Sequence, residues 1–113
     1  MQQWVADMNS SAWQLETGAD GIATLTIDRP GTSANSLNRA VMLELGELLR
    51  RLGTRPPRGL IVRSGKPSGF IAGADIREFT TLRDEAEALS LISGGQQVLD
   101  ALAALPCPTV AAL

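Results

Sequence analysis

This chain of 113 residues has no histidine, a single cysteine and a single lysine. The missing histidine excludes Ser-His and Cys-His nucleophilic centres and any His-ligated metal site within it. One cysteine excludes an intrachain disulfide and suits a reducing, cytoplasmic setting. Cys107 lies between Pro106 and Pro108 at the end of an apolar run. With no histidine base to serve it, it reads as a buried structural thiol rather than a nucleophile. No apolar run approaches the ~18 residues that would suggest a membrane span. No basic segment followed by an apolar one opens the chain, so no signal peptide is expected. The net charge is −2, and nine of the ten basic residues are scattered arginines. Nucleic acid and acidic membrane surfaces are therefore not expected partners. Contact of one or two arginines with a phosphate stays open.

What is present suits a globular fold. Apolar residues make up 44% of the chain and charged residues 19%, a balance unlike that of disordered segments. The length allows one domain at most, or part of one. Residues 1–11 are mixed and polar, with Trp4, Val5 and Met8 as weak anchors, and read as a leader or short helix. The folded unit is expected over residues 12–113. Ala12 to Glu16 and the alternating run Ile22 to Ile27 predict a hairpin about the turn residues Thr17 to Gly21. Asp28 to Leu37 is a long polar loop. Asn38 is the expected N-cap of a helix whose Val41, Met42, Leu45, Leu48, Leu49 and Leu52 recur at three and four residues. Gly53 is its expected C-cap, and Pro56-Pro57 forbid continuation. Arg58 to Ser64 predicts a buried strand, parallel to the first across that helix.

A second helix is expected after Phe79, capped by Thr80 or Thr81, with Asp84, Glu85 and Glu87 in its first turns. It carries Ala88, Leu91, Ile92, Gly95, Leu99, Leu102 and Leu105 on one face. Gly94-Gly95 predict either a kink or a close approach to another element. Pro108 to Leu113 begins a last β-like run whose apolar faces have no successor to cover them.

The central stretch is Ser68 to Phe79. Asp75 and Glu78 have the spacing of a capping box, which predicts that a helix starts there. Ala72, Gly73 and Ala74 just before it have almost no side chain. Two readings stand on local pattern. A ligand's oxygen could approach the backbone N–H groups closely, or the stretch is only a tight strand-to-helix turn.

Three ordered blocks resemble the crotonase (enoyl-CoA hydratase/isomerase) superfamily. One is Leu25-Thr26-Ile27-Asp28-Arg29-Pro30 leading through Ser33-Ala34-Asn35-Ser36-Leu37 into the first helix. The second is Gly59 to Lys66 followed by Phe70-Ile71-Ala72-Gly73-Ala74-Asp75-Ile76. The third runs from Leu102 through Pro106-Cys107-Pro108 to Ala112. Within the superfamily the first two blocks are most similar to the hydratase part of multifunctional fatty-acid oxidation α-subunits, where a 3-hydroxyacyl-CoA dehydrogenase half follows.

The resemblance implies an α/β fold, the incomplete N-terminal portion of the ββα spiral of the ClpP/crotonase type. It implies addition of water to a trans-2-enoyl-CoA, with the thioester carbonyl held between two backbone N–H groups. One would be the N–H of Ala74; losing such a donor typically costs on the order of 3 kcal/mol in the transition state. Backbone at Ser33, Ala34, Asn35 and Leu37, and around Ala72, Gly73, Asp75 and Ile76, would receive the coenzyme A substrate. Arg29 and Arg77 are either phosphate neighbours or solvated surface charges, and Asp75 is expected to remain a cap. The second donor and two catalytic glutamates are expected beyond Leu113, and Glu78, Glu85 and Glu87 do not occupy their positions. The chain is therefore expected to be a truncated part of a hydratase domain, inactive alone. No cofactor is expected, and NAD enters only if a dehydrogenase half exists. The parent would form a homo-oligomer or a complex with a thiolase subunit. The alternative is a non-catalytic acyl-CoA-binding module of the same fold.

Overall fold

A computed structural model describes residues 11–113. Residues 1–10, and with them the anchors Trp4, Val5 and Met8, lie outside the described residues. The core is built on one alternating strand, β2 (Ile22–Ile27). Its Ala23, Leu25 and Ile27 are completely buried, while Ile22, Thr24 and Thr26 are half-buried. A period of two sends every second side chain to one face. Strand β1 (Trp13–Thr17) folds back antiparallel on it, Trp13 opposite Ile27 and Thr17 opposite Ala23. Gly21, at φ +83°, closes the expected hairpin in a conformation that glycine adopts without strain.

Helix α1 (Arg39–Thr54) starts where expected: the Asn38 side chain accepts from the Val41 N–H. Val41, Leu45, Leu48, Leu49 and Leu52 are buried in one cluster with the inner face of the sheet. The helix does not stop at Gly53. It runs to Thr54, with Arg55 as C-cap, and Gly53 is not at positive φ. The stop belongs to Pro56-Pro57, which lack the N–H groups that continuation needs.

Beyond α1, β4 (Gly59–Ser64) lies parallel to β2, with Ile22 opposite Gly59 and Ile27 opposite Ser64. Strand β6 (Thr109–Ala112) lies parallel to β4 on its other side. The sheet order is β1-β2-β4-β6. A helix bridges each parallel pair, α1 between β2 and β4, and α2 (Glu85–Ala103) between β4 and β6. This is the expected α/β alternation. Two short strands outside that sheet, β3 (Ser36–Leu37) and β5 (Gly73–Ala74), pair parallel with each other.

The start and middle of α2 differ from expectation. Neither Thr80 nor Thr81 caps it; Asp84 does, accepting from the Glu87 N–H. Residues Ile76–Thr81 form a short 3-10 helix instead. There the two threonine hydroxyls donate back to the carbonyls of Arg77 and Glu78, a competing local bond that favours a tight turn. Gly94 and Gly95 sit within one continuous helix, and a side chain added at either would meet nothing within 4 Å. The close helix–helix approach falls at Gly46 of α1, where an added Cβ would lie 3.5 Å from Val98. No described helix is long and apolar enough to cross a membrane.

Candidate functional site

The polar loop between β2 and β3 is held by a buried amide. Asn35 is 2% exposed. Its Nδ2 donates to the carbonyls of Ile27 (3.2 Å) and Phe70 (3.0 Å) and to Ser64 Oγ (2.9 Å). Its Oδ1 accepts the Arg29 N–H at 3.0 Å. One side chain thus ties together the ends of β2 and β4 and the start of the 70–75 stretch. The lone lysine does the rest. Lys66 Nζ donates to the carbonyls of Arg29 and Thr32, both at 2.7 Å, and pairs with Asp28 at 2.9 Å. The Ser68 hydroxyl donates to the Ser33 carbonyl at 2.6 Å.

The loop and the 70–75 stretch then meet backbone to backbone. Ala72 N–H donates to the Asn35 carbonyl at 2.6 Å, and Asp75 N–H to the Leu37 carbonyl at 2.8 Å. The two acceptors are two residues apart, but the two donors are three apart. The offset falls at Ala72, ahead of the Ser36–Gly73 and Leu37–Ala74 pairs, which are themselves in register. Gly73 follows it at φ +125°, a conformation nearly closed to other residues. Along a parallel strand, successive N–H groups point to opposite sides. Because Asp75 N–H faces β3, Ala74 N–H is turned away from it. Ala74 is exposed and borders a cavity of about 230 Å³ with Leu37, Asn38, Met42, Phe79 and several residues of α2. A larger apolar cavity, about 370 Å³, shares Leu37, Met42 and Leu99 with it and reaches the sheet.

The donor's orientation does not come from a helix N-terminus. The element after Asp75 is a single short 3-10 helix, and the expected capping box is only half made. Asp75 accepts from the Arg77 N–H at 3.1 Å. Glu78 does not reach back; both its oxygens accept the Arg39 N–H, at 2.8 and 3.0 Å, and thereby hold the first turn of α1. The free Asp75 N–H is taken by β3 instead.

Asp75 is buried between two arginines. Arg77 donates from Nε at 3.0 Å and from Nη2 at 2.8 Å, and Arg29 donates from Nη1 at 3.1 Å. The Arg77 hydrogen bonds, then that of Arg29, hold the carboxyl well below the usual carboxylate range, and Asp75 in turn raises the Arg77 guanidinium. Asp75 therefore stays ionised at neutral pH and is poorly suited to proton transfer. Glu44 carries the opposite shift: burial pushes its carboxyl up, against the backbone N–H groups of Ala12 and Trp13. It accepts from Ala12 N–H and from the Ser11 hydroxyl, and so fastens the start of β1 to α1.

The structure brings together both halves of the expected site. Leu37, Gly73 and Ala74 share the β3–β5 ladder, and Asn35 contacts Ala72 directly. Ser33, Ala72 and Ala74 are exposed, Ala34, Leu37 and Gly73 half-buried, and Asn35 and Asp75 buried with their polar side chains spent on the protein. Ile76 opens the 3-10 helix. Sequence reasoning missed the organising roles of Lys66, Ser64 and Ser68. Lys66 carried a signal, being the only lysine and flanked by Gly65 and Pro67.

Comparison with known proteins bears on this geometry. The enoyl-CoA hydratase/isomerase family matches residues 17–113. The fatty acid oxidation complex subunit alpha of Idiomarina loihiensis is 40% identical over 103 residues, which cover 90% of this chain and 14% of that protein. An enoyl-CoA hydratase from Mycobacterium smegmatis superposes with a TM-score of 0.81 at 26% identity, over 88% of this chain and 38% of the other. An enoyl-CoA hydratase/carnithine racemase from Magnetospirillum magneticum gives a TM-score of 0.80 at 32% identity, over 89% and 38%. The chain thus spans about a seventh of the length of that curated relative and under two fifths of those solved structures.

Proposed function

The chain belongs to the enoyl-CoA hydratase/isomerase family, and we propose that it binds an acyl-CoA thioester and supplies one of the two backbone donors that polarise the thioester carbonyl. The observation that carries this is the pairing of Ala74 with Leu37 and of the Asp75 N–H with the Leu37 carbonyl, which turns the Ala74 N–H away from β3 beside an apolar cavity. A backbone donor fixed before the substrate arrives needs no reorganisation when negative charge develops on the carbonyl oxygen. The cavities beside it suit an acyl chain. The exposed residues Ser33 and Ala72, with Ala34, Leu37, Gly73 and Ile76 nearby, suit the pantetheine and adenine of coenzyme A, while Asn35 and Asp75 act from beneath.

The reaction served is hydration of a trans-2-enoyl-CoA in fatty-acid oxidation. It uses no cofactor. NAD would belong to a 3-hydroxyacyl-CoA dehydrogenase half, and a thiolase subunit or further copies would belong to the assembled protein. A cytoplasmic setting fits the single thiol, Cys107, which is half-buried and unpaired.

The alternative, a binding module without chemistry, draws on one observation. The two carboxylates bordering the cavity with Ala74 are engaged: Asp75 by two arginines, Glu78 by the Arg39 N–H. Neither carboxylate at this cavity is thus left free to serve as a base for water, and the chain alone should not hydrate crotonyl-CoA.

The direct test replaces only the amide at Ala74 with an ester, by semisynthesis with the matching α-hydroxy acid. Infrared spectra of crotonyl-CoA labelled with carbon-13 at its carbonyl should show a shift to lower frequency on binding the native chain. The ester variant should bind without it. An equal shift in both would remove Ala74 from the role. Native turnover of crotonyl-CoA by the chain alone would overturn the division of labour.

A further inference from the structure

Of the two arginines on Asp75, only Arg29 comes from elsewhere in the fold. Arg77 is two residues away and its side chain is 74% exposed, so it follows wherever Asp75 moves. Arg29 lies 46 residues away in sequence, and its side chain is 14% exposed. A single nitrogen, Nη1, donates to Asp75 at 3.1 Å and to Ser36 Oγ at 2.6 Å, with the Ser36 carbonyl at 3.4 Å. Ser36 sits opposite Gly73, and Asp75 directly follows Ala74. Arg29 therefore grips both strands on either side of the Gly73–Ala74 peptide.

Its own backbone is fixed at both ends. The N–H is held by Asn35 and the carbonyl accepts from Lys66 and from the Thr32 hydroxyl. A clamp of this kind has a reason. Gly73 carries no side chain, meets no atom within 4 Å of its missing Cβ, and has the widest backbone freedom of any residue. The β3–β5 ladder holds this peptide from the β3 side, and Arg29 adds side-chain bonds that tie the two strands together.

We infer that Arg29 is a positioning residue, fixing the direction of the Ala74 N–H by bridging Ser36 of β3 to Asp75 after β5. The inference rests on the reading of Ala74 as a carbonyl donor. Arg29 acts through Asp75 and Ser36, to which its Nη1 is committed.

The experiment uses the full chain and the labelled crotonyl-CoA described above. Arg29→Met keeps the apolar stem and removes the bridge. Because hydrogen bonds weaken steeply as their angle departs from linear, the carbonyl shift should fall by roughly half or more, with the dissociation constant for free coenzyme A unchanged. Asp75→Asn should lose a similar fraction, and the double variant no more than the larger single loss, since both act on one peptide. A full shift in Arg29→Met, or additive losses in the double variant, would overturn the inference. If Arg29→Met does not fold, Arg29→Lys decides. It keeps a cation beside Asp75 but is one bond shorter, so a full shift in that variant would likewise overturn it. The two readings fail differently: absence of any shift in the native chain would sink the Ala74 assignment itself, whereas a native shift that survives loss of Arg29 would sink only the positioning role.

Discussion

Both helices carry apolar residues at three- and four-residue spacing, with a less sharply sided stripe in α2, but their surroundings differ. Helix α1 buries Val41, Leu45, Leu48, Leu49 and Leu52 against β2 and β4. Helix α2 is longer and more apolar, yet none of its residues is buried. Leu89, Ile92 and Leu99 are each about half exposed, and so is Val110 in β6 beside them. Amphipathic spacing says which face of a helix seeks a partner; it does not say that the partner is met. The core of the described residues is thus one layer of helix on sheet, and α2 contributes to it chiefly through Val98 and Leu102 at its edge.

The largest effect that tests this contrast comes from equal truncations on the two helices. Leu49→Ala in α1 removes a fully buried side chain and should cost about 3 kcal/mol of stability, the range of buried leucine truncations that leave a cavity. Leu99→Ala in α2 should cost less than about 1 kcal/mol, because much of its side chain is already in water. Urea unfolding of both variants measures the difference. Equal costs would show that α2 is packed as tightly as α1 in solution.

Next in size is the buried amide beneath the site. Asn35→Ala strands the carbonyls of Ile27 and Phe70 and the N–H of Arg29, and should cost about 2 kcal/mol or more. The half-buried cap Asn38→Ala, three residues on, should cost about 1 kcal/mol. If the two costs proved equal, the Asn35 bonds would be replaceable by water. At Gly73 there is room for a methyl group but not for its backbone conformation, so Gly73→Ala should cost roughly 1–3 kcal/mol through φ alone. It should also reduce the carbonyl shift of bound thioester.

A smaller, pH-dependent term belongs to Asp75. Its folded pKa lies below the unfolded value, so the stabilisation is fully present above the unfolded pKa, near 4, and is lost as pH falls below that. Asp75→Asn should flatten the acid limb of a stability–pH profile. An unchanged limb would mean that the arginines do not hold the carboxylate in solution.

Much of the fold was legible because it is local. The alternation in Ile22–Ile27, the spacing in α1 and the Asn38 cap are short-range patterns, and each element formed within a residue or two of expectation. The meeting of the Ser33–Leu37 loop with Ala72–Asp75 was legible only through resemblance. No periodicity links two residue pairs 37 positions apart. The offset at Ala72, the refusal of Glu78 to close a capping box, and the grip of Arg29 were not legible at all. Each depends on which of several nearby partners wins a backbone N–H: Leu37 took that of Asp75, and Glu78 was left to take that of Arg39. The 3-10 turn at Ile76–Thr81 has a similar origin, since its threonine hydroxyls return to the backbone instead of capping α2.

The smallest expected effect separates exposure from patch formation. Leu43 on α1 and Leu89 on α2 are comparably exposed, at 68% and 59%. Serine at either position should change stability by no more than about 0.5 kcal/mol, the usual range for surface substitutions. Their effects on self-association should differ. Leu89 stands one turn from Ile92, at the edge of a helix face that also carries exposed Leu99, and apolar residues grouped in this way drive association. Leu43 projects from a helix whose apolar face is already buried. Sedimentation velocity over a concentration series should therefore show weaker association for Leu89→Ser and no change for Leu43→Ser. If both variants behaved alike, the exposed residues of α2 would be scattered apolar contacts rather than one surface, and the contrast between the two helices would reduce to burial alone.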